Sequence, residues 1–197
     1  MINISDTDKN YINRNNGDYN FRGVTDVLTI IENEYGSSKL EEIKKEMEDL
    51  GVPIPQKGTV STVPLSTFVT MLIVSKEVLN LDDESMVKIG TEAAKISFLL
   101  KFASQLLISL DMICKNANAG WRKYYKSGEL KVTELNKEEK RIIAEIRGFV
   151  GHPLYCRFIE GYFSQMIFFV TGKEVDYFEE ECIFKGGEVH RYKIEWK

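Results

Sequence analysis

The chain has 197 residues, 43% of them hydrophobic, and its 26 Lys and Arg against 30 Asp and Glu leave a formal net charge of -4. That length and composition suit a soluble globular domain with a sizeable core. The mixed, slightly acidic charge lacks the basic footprint that phosphate neutralisation requires, so no direct nucleic-acid partner is expected.

The most apolar stretch, "ISFLLKFASQLLISLDMIC", carries Lys101, Asp111 and several Ser, and so reads as a buried helix rather than a membrane span. The N-terminus has neither the basic start nor the apolar run of a secretory signal. Three cysteines cannot form a closed disulfide framework. A reducing cytoplasm is the expected location, with thiolates available as ligands.

In chain order, "MINISDTDKNYINRNNGDYN" is rich in Asn and Asp without an apolar period, and residues 1–22 are expected to be disordered and outside the core. Residues 23–197 are expected to form one domain. "TDVLTIIENEYG" and "SSKLEEIKKEMEDLG" each open on a capping residue type, keep apolar residues at helical spacing and close on Gly. They predict two helices joined at Gly36. After a loop holding Pro53 and Pro55, "LSTFVTMLIVSKEVLN" predicts a helix capped at Ser66 or Thr67. The stretch from Asp82 to Tyr125 continues the helical period, and Gly90 and the patch from Asn116 to Gly120 are expected to divide it into three.

From Gly128 the β-branched content rises, and "GELKVTEL" and "KRIIAEIRGFV" predict two paired strands. Pro153 at a first helical turn and Gly172 at the end predict a helix from about Pro153 to Thr171. "EVDYFEEECIF" and "EVHRYKIEW" predict a closing hairpin. The class is α+β, an antiparallel sheet of about four strands with a helical layer on one face.

The hairpin carries Cys182 and His190, the helix before it carries Cys156, and Glu179 lies three residues before Cys182. Thiolate, imidazole and carboxylate are the donors a tetrahedral metal site draws on. The same residues also suit a plain hairpin, with Cys156 a small core residue and the acidic run a solvated face. Metal binding imposes two conditions. A loop of Lys185, Gly186 and Gly187, with one glycine at positive φ, sets Cys182 opposite His190, whereas a two-residue turn sends them to opposite faces. Glu179 and Cys182 have an odd spacing, which demands a bulge or break near Glu180.

The segment "CRFIEGYFSQMIFFVTGKEVDYFEEECIFKGGEVHRYKIEW" resembles the 4-vinyl-reductase domain, of a ligand-binding superfamily that includes haem-associated nitric-oxide sensors and Golgi transport-particle subunits. The resemblance rests on the helix Cys, the Gly161-Tyr162 pair, Gly172, the Glu three before a Cys, the Gly-containing loop and the last ligand before an aromatic strand. "GWRKYYKSGEL" is similar more loosely. It implies a transport-particle-subunit-like fold and a structural zinc held by Cys156, Glu179, Cys182 and His190, the last in place of the usual third cysteine. Cys114 matches no ligand position and reads as core. The family's phenol-gripping His and Trp positions fall on Leu107 and Leu135.

No catalytic constellation is evident: His152, before Pro153, suits a capping role. The resemblance implies a binding or sensing module that holds a small apolar ligand between helices and sheet. The expected lining is Phe98, Phe102, Leu106, Leu107, Trp121, Phe149, Tyr162 and Phe163, with ordinary core packing as the alternative for each. A tethering scaffold and an accessory factor in tetrapyrrole (vinyl) reduction are the competing functions. Haem lacks a convincing axial donor besides His152. Output is expected through a homodimer or a separate effector, with the helix from Thr67 to Leu79 as a dimer surface or, alternatively, simply buried.

Overall fold

The computed structural model describes residues 2–102 and 109–197, the side chains of 98–102 excepted. The helices are α1 (Asp6–Arg14), α2 (Phe21–Tyr35), α3 (Ser37–Asp49), α4 (Leu65–Leu79), α5 (Asp83–Phe102), α6 (Leu110–Lys115), α7 (Ala117–Tyr124) and α8 (Pro153–Thr171). The strands are β1 (Asp18–Asn20), β2 (Thr62–Pro64), β3 (Glu129–Asn136), β4 (Arg141–Arg147), β5 (Val175–Glu181) and β6 (His190–Trp196). The last four form an antiparallel sheet in the order β3-β4-β6-β5, and β1 pairs with β2 apart from it. This is the α+β arrangement expected from the sequence.

Alternation gives the sheet two unlike faces. Ile142, Ala144 and Ile146 of β4 and Tyr192 and Ile194 of β6 are buried beneath the helices. The other face carries a charged network in which Glu145, itself buried, accepts hydrogen bonds from Arg147 at 2.6 Å and from Arg191 at 2.9 Å. A register shift in β3 between Val132 and Glu134 compensates an odd spacing, so that Leu130 pairs with Ile146 and Leu135 with Ile142.

Several boundaries follow the local signals. Gly36 separates α2 from α3 at φ 88°. Pro153 opens α8 and Gly172 closes it in the left-handed region, as the sequence predicts. α4 begins at Leu65 after Pro64 without a side-chain cap, so Ser66 and Thr67 lie inside the helix.

Gly90 does not divide α5. A Cβ built there would lie 1.9 Å from the Phe158 carbonyl oxygen, and one at Gly161 would lie 1.9 Å from that of Val87. The two glycines permit a close crossing of α5 and α8, backbone against backbone. The other expected break, in the patch from Asn116 to Gly120, falls at Asn116 between α6 and α7.

The first 22 residues, expected to be disordered, carry α1, β1 and the start of α2. Their polar residues serve as caps and bridges rather than turns. The Ser5 side chain accepts from the Asp8 backbone and that of Asn20 from Arg22. Asn15 donates to the carbonyls of Tyr11 and Gly151 and accepts from the Gly151 amide, at 2.7, 2.8 and 2.9 Å. Tyr19 is buried and stacks on Phe68 at 4.2 Å between ring centroids.

α4 is enclosed: every residue from Thr67 to Ser75 is buried. It offers no broad dimer surface, and simple burial accounts for its apolar run. Among the described residues, no helix is long and apolar enough to cross a membrane.

Candidate functional site

Two features could carry function. The first is the Cys and His cluster on the end of the sheet. Glu179 pairs with Tyr192 and Glu181 with Arg191, so the ladder slips one residue at Glu180. Beyond the slip, the register continues toward Cys182 opposite His190. The connection is longer than three residues, because Cys182 leads into a 3-10 turn over Ile183–Lys185 that ends at Gly186 with φ 88°. The bulge and the positive-φ glycine are both as the spacing predicts; the loop length is not.

The outcome is a convergence of four donors. One ligand atom each from Cys156, Glu179, Cys182 and His190 lies within 4.8 Å of the others. Cys156 comes from the first turns of α8, the rest from the hairpin. His190 Nδ1 is 3.8 Å from Cys156 Sγ and 3.7 Å from Cys182 Sγ. Its Nε2 faces the Val150 carbonyl at 3.4 Å. A carbonyl can only accept, so the proton sits on Nε2 and the Nδ1 lone pair faces the sulfurs.

Glu179 Oε2 accepts from Lys185 Nζ at 2.6 Å, while its Oε1 is buried without a hydrogen-bond partner. Protonation states follow from these surroundings. Burial holds the His190 pKa below the usual imidazole value, so the ring is neutral. The Cys156 thiol is pushed well up, first by its hydrogen bond to Cys182 and then by burial, and the same bond draws Cys182 down. For Glu179, desolvation acts upward, but the Lys185 ammonium and the neighbouring Cys182 leave the carboxyl below its ordinary value. An orphaned carboxylate oxygen, a neutral imidazole and two facing thiols, one drawn below its ordinary pKa by the other, make a donor set suited to a borderline-soft cation.

The second feature is a cavity of about 480 Å³ between the helices and the sheet. Its floor is Leu130, Val132, Ile142, Ala144 and Ile194 from the strands, and α8 supplies Phe158, Tyr162, Phe163 and Met166. Trp121 lies on its wall and stacks on Tyr125 at 4.0 Å. Of the expected lining, Trp121, Tyr162 and Phe163 are on this wall. Phe149 does not line the space; it packs edge-on behind Trp121 at 5.1 Å. Phe98, Phe102, Leu106 and Leu107 lie outside the residues whose side chains are described.

The sequence reading missed the polar part of this wall, formed by Asp26, Ser97 and Tyr124. Its signal was available: Asp26 sits on the apolar stripe of α2 between Val24 and Val27 and is buried with them. Cys114, read as core, also lines the cavity. His152 does not. Its Nδ1 accepts from the Leu154 amide at 3.2 Å, capping α8, and its Nε2 lies 3.0 Å from Asp8 Oδ1.

No family model matches the chain, and no curated protein matches it in sequence. Solved structures do match. An H-NOX protein from S. oneidensis in the Fe(II)NO ligation state has a TM-score of 0.65 at 11% identity, covering 90% of this chain and 99% of that one. A point mutant of the H-NOX protein from K. algicida, in its Fe(II) unliganded form, has a TM-score of 0.64 at 13% identity, covering 90% and 96%. A structure described as modulating haem redox potential through protein-induced porphyrin distortion has a TM-score of 0.62 at 12% identity, covering 89% and 99%. The chain therefore has the H-NOX fold; identities this low carry the fold alone.

This corrects the resemblance to the 4-vinyl-reductase domain: the structures that match are H-NOX proteins. It also removes the ground for zinc as the cofactor, which rested on that family, since the neighbours are described by their iron and haem.

Haem, which the fold suggests instead, does not fit these residues. The chain has two histidines, and both His152 and His190 are engaged away from the cavity. Other axial donors are thiolate, tyrosinate, or a thioether paired with histidine; Met112 and Met166 line the wall but have no histidine there to pair with. Cys114 is pushed up to about 11 by burial and by Asp111, so it stays a thiol. Burial likewise raises Tyr162, keeping its hydroxyl neutral. Of the described residues on the wall, Lys123 alone is cationic, and it is exposed.

Proposed function

We propose that this chain is a small-molecule-binding module of the sensing type and not an enzyme. The observation that carries the reading is the cavity of about 480 Å³, apolar on most of its wall with a few convergent polar groups, as in ligand sites generally. The H-NOX proteins that share the fold include one described in its Fe(II)NO state, so a small molecule in this fold has precedent. A tethering scaffold calls for a filled core and a broad apolar surface. The described exposed large hydrophobics, Val60, Met112, Phe168 and Phe178, are spread over a loop, two helices and a strand instead. An accessory role in tetrapyrrole reduction meets the same objections as haem.

Cys156, Glu179, Cys182 and His190 are on this reading a cation site that ties α8 to the hairpin. The buried unpartnered Glu179 Oε1 and the inward His190 Nδ1 support it. The module acts in the cytoplasm, where thiols stay reduced, and passes its signal to a second copy or a separate effector.

Native mass spectrometry with elemental analysis, on full-length protein purified without chelator or affinity tag, tests the reading. A retained organic mass supports binding in the cavity. Protein that carries no organic mass, and gains none from any apolar compound in a screen, contradicts it.

A further inference from the structure

The four-donor cluster contains one half-used ligand. Glu179 supplies its carboxylate, and that side chain is 6% exposed. Oε2 accepts a hydrogen bond from Lys185 Nζ at 2.6 Å, whereas Oε1 is buried without a hydrogen-bond partner. A carboxylate oxygen of this residue lies within 4.8 Å of the donor atoms of Cys156, Cys182 and His190. With Oε2 engaged by the lysine, the oxygen left for a cation is Oε1.

The chain fixes Lys185 to one of the ligands. Its backbone N–H donates to the Cys182 carbonyl at 2.9 Å, and the Gly187 N–H donates to the same oxygen at 3.0 Å. The 3-10 turn is thus clasped onto Cys182 and delivers the ammonium to the carboxylate from the solvent side. Arg157, which also acts on Glu179 through its charge, is engaged by Glu160 at 2.6 Å.

Lys185 has two opposed effects on an entering cation. Its charge repels the cation, while its hydrogen bond fixes the carboxylate that receives it. The lysine side chain is 69% exposed, so water and salt screen the repulsion. Orientation is not screened in this way: a glutamate freed of the bond regains rotamers that turn Oε1 aside, and these must be frozen again on binding. Loss of an outer hydrogen bond to a metal ligand costs about 10–100-fold in affinity. Orientation is therefore the larger effect.

We propose that Lys185 is a positioning residue for the cation cluster: by holding Glu179 Oε2 it keeps Oε1 turned inward as the fourth ligand. This rests on the reading of Cys156, Glu179, Cys182 and His190 as a cation site and adds the group that sets how tightly the site holds its ion.

Co2+ is the probe, because its visible bands report the ligand set. The full chain, reduced, chelator-treated and kept anaerobic, is titrated with Co2+ in competition with a chelating indicator, as wild type, Lys185→Ala and Lys185→Arg. The expected result is affinity lower by about tenfold or more in Lys185→Ala, and within about threefold of wild type in Lys185→Arg, which restores a charged donor to Oε2. At saturation Lys185→Ala keeps the thiolate-to-cobalt band but shifts the ligand-field bands, since the sulfurs stay and the carboxylate is displaced. Should Lys185→Ala not fold, Lys185→Gln gives the same comparison. A merely structural ion pair lowers the urea midpoint of the metal-free variant and leaves Co2+ affinity and spectrum unmoved; that result overturns the proposal. Tighter binding by Lys185→Ala also overturns it, because repulsion is then the larger effect. A folded wild type that takes up no Co2+ overturns the cation site itself, and the proposal with it.

Discussion

Glu179 and Cys182 stand three residues apart on one strand, yet their ligand atoms meet on the same side of the sheet, because the ladder slips between Glu179 and Glu181. The slip is what makes a four-donor cluster from an odd spacing. Deleting Glu180 leaves Glu179 and Cys182 two residues apart, so regular alternation alone then keeps them on one face without the bulge. The deletion variant is expected to keep the hairpin, by circular dichroism, and to take up added divalent cation as the wild type does, by elemental analysis. Cation taken up by the wild type but not by the folded deletion variant would contradict the role given to the bulge.

How far the sequence reached follows from the same segment. Donor types and an odd spacing sufficed to require both a bulge near Glu180 and a glycine at positive φ, since each follows from strand geometry. The loop length did not follow, because the 3-10 turn over Ile183–Lys185 has no strong local signal. Gly36, Pro153 and Gly172 marked helix ends because their preferences are local. Gly90 misled for the opposite reason: its lack of a side chain serves contact with α8, a partner some seventy residues away in sequence. Asn15 and Asn20 misled likewise, since composition cannot distinguish an Asn that bridges to Gly151 from one that sits in a turn. The 4-vinyl-reductase assignment failed because a short motif-bearing segment was made to stand for a fold that the matched structures share over about nine-tenths of the chain.

The crossing of α5 and α8 has no room for a methyl group. Gly161→Ala sets a Cβ against the Val87 carbonyl, and Gly90→Ala sets one against that of Phe158. Each is expected to cost about 1–3 kcal/mol in urea denaturation, the range for overpacking that backbone must relieve. A cost within about 0.3 kcal/mol of zero would contradict the close approach.

The N-terminal segment is docked through Asn15, whose side chain makes three hydrogen bonds with backbone, two of them to Gly151. Asn15→Ala leaves buried backbone groups without partners and is expected to cost about 1–3 kcal/mol. Limited proteolysis should also cut the variant faster within its first twenty residues. Equal cleavage rates would mean that the segment is not held by this contact.

Burial lowers the pKa of both His152 and His190. In chelator-treated protein both rings are neutral when folded, whereas the unfolded chain takes up protons as pH falls past the ordinary value of 6.5. The unfolded state then binds more protons, so stability is full above that value and is lost as pH falls toward the depressed folded pKa values. The urea midpoint is expected to drop between about pH 7.5 and about pH 5.5. His152→Asn, which keeps a capping side chain, should reduce the drop. A midpoint that is flat or rises toward acid would contradict the burial of neutral rings.

The central claim is that the space between helices and sheet is a binding site, and filling it is the most direct test. Ala93 is buried on the cavity wall, and Ala93→Phe directs a ring into the space. Native mass spectrometry of the untagged wild type and of this variant, prepared side by side and both folded by circular dichroism, decides the matter. The wild type is expected to carry a bound organic mass that the variant lacks; the same mass on both proteins, or on neither even after exposure to apolar compounds, would contradict the claim.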